Sequence, residues 1–214
     1  MSLEEKSLTL KAGNGHIVST SSLGYPWSEK LRKDAAARRD RLIKAAADLF
    51  ERDGYDIALE AVAAAAGVGR ATLYRNFPHR GGLMTAVLTY KLEAMERFVA
   101  THDDDTTLLP SFLRRQGLVA TVHGPAVAHL LADPAQRQAL QSLRDRTSKL
   151  VQQIVMRAHA VGRLRPDANV EHLRLATRML MAARAWPHDP DVGSLDMAVD
   201  IIVRGLLPSK GATG

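Results

Sequence analysis

No cysteine occurs among the 214 residues, which removes disulfides, thiolate nucleophiles and sulfur-ligated zinc together. Aromatic residues are scarce at 5%. No apolar run approaches the roughly 20 residues of a membrane-spanning helix, and the first residues lack the apolar core of a signal peptide. The sequence therefore predicts a cytoplasmic protein with no membrane partner. The eight histidines are scattered, none with another at i, i+3 or i, i+4, so a helix-borne two-His metal site is absent and neither metal nor cofactor is expected. There is no Ser or Cys nucleophile motif and no pair of facing carboxylates. His188-Asp189 sits in the Pro-rich stretch WPHDPD, which reads as a connection, so no catalytic residue is predicted and an enzyme is disfavoured.

What is present fits an ordinary globular chain. Hydrophobic residues make up 46% and charged residues 24%, and the length suffices for one large or two small domains. The net charge is +6 and the isoelectric point about 9.8, which suits a polyanionic partner. Its distribution says less: residues 28–80 hold 11 Lys/Arg against 8 Asp/Glu, and residues 81–214 hold 16 against 13. Only the run Lys30, Arg32, Lys33, Arg38, Arg39, Arg41, Lys44 looks like a basic face, and a solvated helix surface explains that run equally well.

Residues 1–27, rich in Ser, Gly and Thr, show no sustained period and read as a mobile arm. Beyond them nearly everything is helical, since few segments are rich in β-branched residues with the alternation a strand needs. Leu42, Ile43, Ala46, Leu49 and Phe50 line one face of a helix over about 34–52, which Asp53-Gly54 ends. Short helices follow over about 59–66 and 70–76, with Phe77-Pro78 as a stop. A helix over about 83–100 carries Leu83, Val87, Leu88, Leu92, Met95 and Val99, and the acidic HDDD after it is a loop and cap. Segments near 106–121 and 124–131 precede Asp133-Pro134, a strong helix start. The helix begun there ends at Gly162. Asp167 and Ser194 are the expected caps of the last two helices. The fold class is thus all-α.

The stretch AGVGRATLYRNF, residues 66–77, contains a Gly-x-Gly open to two readings. A phosphate-cradling dinucleotide loop needs a preceding strand and a third glycine three residues after the second. LEAVAAAA precedes it, a helix former throughout, and the third position is Thr72. The other reading is a helix-turn-helix, two short helices at about 90–120° across a glycine-bearing turn. Close approach needs small residues inward and a turn tolerating positive φ, for which Ala63 and Gly67 are suitably placed. Val62, Ala66, Val68 and Leu73 would then form a seam against Leu42, Ile43, Ala46 and Phe50.

With these residues in view, LIKAAADLFERDGYDIALEAVAAAAGVGRATLYRNFPHRGGLMTAVL, residues 42–88, resembles the DNA-binding domain of the TetR family of transcriptional regulators. Thr72, Leu73, Tyr74 and Phe77 supply that family's Thr-Leu-Tyr-x-x-Phe block. GRLRPDANVEHL and LDMAVDIIVRGLLP resemble, more weakly, the family's last two helices. The resemblance implies a three-helix DNA-binding domain over 28–80 and a larger helical ligand-binding and dimerisation domain over 81–214. It implies a ligand-responsive repressor that binds a palindromic operator as a homodimer. A helical small-molecule-binding or interaction protein without specific DNA binding is the alternative.

The family architecture implies that Arg70, Ala71, Thr72, Tyr74, Arg75 and Asn76 face double-stranded DNA. Arg70 would meet a base edge or a phosphate, and Thr72 and Tyr74 phosphates; a core aromatic with a wet hydroxyl is the competing reading of Tyr74. Arg80 occupies the place where relatives usually carry a phosphate-binding lysine. Ala58 replaces the usual Ser or Thr before the second short helix, leaving Asp56 as a substitute cap, and Gly81-Gly82 would loosen the joint to the fourth helix. A largely apolar effector would be enclosed by Phe98, Phe112, Met156, Met179 and Trp186, with His123 or His129 as polar orienters, although a Met or aromatic on a helix is, taken singly, more often core. Leu173, Ala176, Leu180 and Ala183, with Leu195, Val199, Ile202, Val203 and Leu206, would form the dimer seam, with intramolecular core as the competing reading.

Overall fold

The computed structural model describes residues 26–120, 130, 134–185 and 195–208, with side chains except at 26–28, 117–120, 135, 181 and 183–185. The described residues form eight α-helices and no strand. They are α1 (Pro26–Asp53), α2 (Leu59–Ala65), α3 (Arg70–Asn76), α4 (Arg80–Thr101), α5 (Asp105–Ala120), α6 (Pro134–Ala160), α7 (Val170–Ala185) and α8 (Leu195–Leu206). None is long and apolar enough to cross a membrane.

The chain divides into two compact units, Met1–Asp40 and Arg41–Gly214. In the first, the described residues are the opening turns of α1, which starts well before the expected position 34. Apolar periodicity misses this stretch because it has no buried face; it is exposed and charged, with an i, i+4 ion pair between Lys33 and Glu29 at 2.8 Å.

The second unit holds two hydrophobic clusters. One joins Leu42, Ala46 and Phe50 of α1, Val62 and Ala63 of α2, Leu73 of α3 and Phe77 to Leu83, Met84 and Val87 of α4, with Leu130 and Leu140. The other joins Met95 and Val99 of α4 to Leu108, Phe112 and Leu113 of α5, Ile154 and Ala158 of α6, Leu173, Ala176 and Leu180 of α7, and Val199 and Leu206 of α8. Helices α4 and α6 pack against each other and contribute to both clusters. A displacement of α4 is therefore felt in both cores.

Helix ends follow local chemistry. The Asp104 carboxylate accepts from the Thr106 backbone N–H at 2.9 Å and so caps α5. For α7 the cap is Asn169, whose Oδ1 accepts from the Glu171 N–H at 3.0 Å. The expected cap, Asp167, instead faces Arg165 at 3.3 Å. The expected cap at Ser194, and the helix expected near 124–131 apart from Leu130, lie outside the described residues, as does the arm up to residue 25.

One buried-edge clamp ties three helices. Arg157 of α6 donates Nη1–H to the Val99 carbonyl at 2.6 Å, Nη2–H to the His102 carbonyl and Nε–H to the Asp105 carboxylate at 2.6 Å. It joins the end of α4 and the start of α5 to α6, satisfying carbonyls that α4 leaves open at its C-terminus.

Candidate nucleic-acid interface and cavity

The chain turns between α2 and α3 through Gly67, whose φ is +62°. Its N–H donates to the Ala64 carbonyl and the Val68 N–H reaches back to the Ala63 carbonyl, each at 3.0 Å. This paired closure is the Schellman motif, which needs a left-handed residue after the C-cap. Gly69 then sits extended at φ −73°, ψ 154° and starts α3, its carbonyl accepting from Thr72 at 2.9 Å and from Leu73 at 3.1 Å.

Within α3 only Leu73 is buried. Its full burial stabilises by about 1.5–3 kcal/mol and sets the helix's rotation. Arg70, Ala71, Tyr74 and Arg75 are consequently exposed, Tyr74 at 43%, so it is not the core aromatic that the alternative reading required. Thr72 and Asn76 are half-buried. The Asn76 amide donates to the Thr72 carbonyl at 2.8 Å, folding back on its own helix. Arg75 reaches the Thr72 hydroxyl at 3.5 Å.

Glu60 of α2 is a neighbour that sequence reasoning missed. It accepts a hydrogen bond from the Tyr74 hydroxyl at 3.0 Å. Its carboxyl is held below the usual range, first by its own backbone N–H and then by Tyr74. The same bond raises the Tyr74 hydroxyl above the ordinary tyrosine value. Tyr74 thus donates to Glu60 in this structure, and donation to a phosphate would require that bond to open. The i, i+14 spacing carries no sequence signal; the turn alone brings the two together.

Arg80 departs from its expected place among the exposed cations. It is half-buried, donates Nη1–H to the Tyr55 carbonyl at 2.5 Å and lies over the Tyr55 ring at 5.4 Å from its centre. Through this donor it tethers the 54–58 turn to the start of α4. No side-chain hydrogen bond caps α2 at Ala58, so Asp56 does not replace the missing hydroxyl.

Gly81 also reads differently in three dimensions. Both glycines lie in the first turn of α4. A Cβ at Gly81 would stand 3.1 Å from Leu130 Cδ2 and 3.4 Å from Gln136 Cγ, whereas one at Gly82 would meet nothing within 4 Å. The missing side chain at Gly81 allows close packing at the joint, and the adjacent Thr85–Gln136 hydrogen bond at 2.8 Å reinforces it. Only Gly82 leaves open space at the joint.

A cavity of about 630 Å³ lies among α4, α5, α6 and α7. Leu88, Leu92, Met95, Leu140 and Leu143 supply apolar surface; Lys91, Arg144, Arg174 and Arg178 supply cations, with Gln116, Thr147 and Ser148. None of the four sequence-predicted wall residues that are described, Phe98, Phe112, Met156 and Met179, lines it. Phe112 is fully buried in the second core. Phe98 packs against His102 with ring centres 4.9 Å apart and beneath Arg115. Met156 and Met179 are exposed, Met179 at 52%. An aromatic or Met on a helix marks a packed face without saying which, and here that face is the core or the surface. His123, His129 and Trp186 lie outside the described residues.

The expected dimer residues are also interior. Leu173, Ala176, Leu180, Val199 and Leu206 are buried in the second core, and Leu195, Ile202 and Val203 pack partly buried against it. The Ala183 side chain lies outside the described set. The apolar surface these helices leave open is a different one: Leu175 and Met179 on α7, Met197 and Ile201 on α8, Ile201 at 63% exposure. Each helix bears an i, i+4 apolar pair beside its core stripe, a doubled stripe visible in the sequence once the inward one is assigned.

Comparison with known proteins agrees with this geometry. Residues 42–87 match the family described as bacterial regulatory proteins, tetR family. An uncharacterized HTH-type transcriptional regulator of Mycobacterium tuberculosis is 45% identical over 64 residues, covering 29% of this chain and 31% of that relative. The alignment thus spans about a third of the curated relative's length. Over the larger part of the chain the likeness is one of fold alone. A TetR transcriptional regulator from Streptomyces coelicolor superposes with a TM-score of 0.63 at 24% identity, covering 80% of this chain and 99% of that one. A TetR transcription regulatory protein from Mycobacterium vanbaalenii gives 0.59 at 22% identity, covering 83% and 99%. The helix-turn-helix is thus matched in sequence by the tetR family over residues 42–87, and the helical body is similar in fold to solved TetR regulators.

Proposed function

We propose that this regulator is a homodimeric, ligand-responsive repressor that reads a palindromic operator with α3. The observation that supports this reading most is the turn at Gly67. It leaves a seven-residue helix held by one buried leucine, with Arg70, Ala71, Tyr74 and Arg75 outward. Such a helix fits the B-DNA major groove, where Arg70 or Arg75 can meet guanine with a bidentate fork. Thr72 and Tyr74 would set register on the phosphates, Tyr74 by exchanging Glu60 for a phosphate oxygen. A single such helix makes few contacts. A dimer joined through Leu175, Met179 and Ile201 supplies a second, reading half-sites about 34–36 Å apart or at multiples of that spacing.

Residues 28–80 serve as reader and 81–214 as the ligand-binding and dimerisation body. Leu88, Lys91, Leu92 and Met95 of α4 line the cavity, while Leu83, Met84 and Val87, just before them on the same helix, belong to the reader's core. An effector that shifts α4 changes the spacing of the two recognition helices. Coupling of about 1–3 kcal/mol is enough to release the operator without unfolding.

The test is binding to a palindrome from the chain's own promoter across a salt series. A steep fall in affinity with salt is expected, together with relaxed preference at one base pair in Arg70→Ala and uniformly weaker binding in the double variant Thr72→Val, Tyr74→Phe. Shallow salt dependence and no difference among the variants would instead favour a helical binding protein without specific DNA recognition.

A further inference from the structure

The cavity's lining is chemically lopsided. Of its twelve described lining residues four are cations and none is a carboxylate. Two of the cations are already matched: Lys91 pairs with Glu51 at 2.9 Å, and Arg174 donates to Glu171 at 2.6 Å and to the Ser148 hydroxyl at 2.7 Å. Ser148 is itself spent, since it donates to the Arg144 carbonyl at 2.9 Å. The Arg144 and Arg178 guanidinium groups have no carboxylate partner among the described residues. Both are exposed, whereas Met95 and Leu140 are buried, so the charge stands at the mouth and the apolar surface at the floor.

Among the described residues, no aromatic ring lines the cavity. The five aliphatic side chains offer a surface that a flexible chain can follow. The volume lies within the roughly 300–1,000 Å³ usual for small-molecule sites.

We propose that the cavity takes an amphipathic anion, an aliphatic chain seated on Leu88, Leu92, Met95, Leu140 and Leu143 with its anionic head at Arg144 and Arg178. The guanidinium fork matches a carboxylate or a phosphate in two parallel hydrogen bonds. With two guanidinium groups and no acidic group among the described lining residues, the field at the mouth concentrates anions and repels cations. This assignment rests on the cavity being the effector site, and it narrows the largely apolar effector expected from sequence to one with a charged end.

The test is isothermal titration calorimetry of the full chain with decanoate, decyl phosphate, decanol and decylammonium, all below their micellar concentrations. Decanoate or decyl phosphate should bind at least tenfold tighter than decanol, and decylammonium weakest; the tighter of the two anions identifies the head. The double variant Arg144→Gln, Arg178→Gln should keep its thermal midpoint and lose the preference for anion over alcohol. Arg178→Glu should gain affinity for decylammonium. Equal binding of decanoate and decanol, no binding of any anion, or an anion preference that survives the double variant would overturn the assignment. Operator titration of the same preparations reads DNA recognition separately: retained operator binding with no anion selectivity refutes only the ligand class, and anion selectivity without operator binding refutes only the repressor.

Discussion

Replacing Gly67 by alanine tests the turn on which the placement of α3 depends. At φ +62° an L-residue brings its Cβ close to the following carbonyl, a cost of roughly 1–2 kcal/mol. Nothing else opposes the methyl group, because a Cβ there would meet no atom within 4 Å. The penalty is therefore backbone strain alone, and it should be partly relieved in Gly67→Asn, since asparagine tolerates the left-handed region. Gly69→Ala is the internal control: φ there is −73° and its surroundings are equally open, so its effect should stay within about 0.5 kcal/mol. Urea unfolding followed by circular dichroism should rank the variants Gly69→Ala, Gly67→Asn, Gly67→Ala in falling stability. In thermal melts the last should lose roughly 2–8 °C, at about 2–4 °C per kcal/mol for a chain of this size. Gly67→Ala as stable as the parent, or no better than equal to Gly67→Asn with Gly69→Ala equally damaged, would refute the conformational argument and with it the placement of α3.

Removing the Arg157 clamp by Arg157→Met should cost about 2–3 kcal/mol, because two backbone carbonyls and the Asp105 carboxylate lose a charged donor; chemical denaturation measures this, and a change under about 0.5 kcal/mol would show the clamp to be idle. The Glu96 carboxyl is held below its ordinary value by its hydrogen bonds from Arg146. A depressed carboxyl stabilises the fold above its unfolded value, near 4.5, and that contribution disappears as pH falls through the folded one. Arg146→Gln should accordingly flatten the acid side of the stability-against-pH curve, and an unchanged slope there would contradict the pairing. The proposed dimer should dissociate to monomer in sedimentation when Ile201→Glu is combined with Met179→Glu, with helicity intact, whereas Leu180→Glu, in the core, should unfold the chain; a dimeric parent whose double variant sediments unchanged would remove α7 and α8 from the interface.

Much of this molecule was legible in the linear order of residues because its causes are local. Gly67 had to be glycine for the turn, and Leu73 and Val62 recur at helical spacing, so the joint between α2 and α3 could be placed from a dozen letters. Pro134 opened α6 and Gly162 closed it for the same kind of reason, since helix ends are decided by backbone chemistry within one turn. What periodicity cannot reveal is which of two apolar stripes faces inward. Leu173, Ala176 and Leu180 make as good a seam for a partner as for a core, and only the packing of α5 and α8 against α7 assigned them to the interior and left Leu175 and Met179 outside. The cavity was hidden for a related reason: Leu88, Leu143, Arg144 and Arg178 look like ordinary core and surface residues on their own helices, and a concave site exists only where three or four helices fail to close. Glu60 beside Tyr74, Arg80 over Tyr55 and the tight approach at Gly81 belong to the same class. Short-range backbone constraints are written residue by residue, whereas side-chain partnerships across helices depend on distances that no sequence separation encodes.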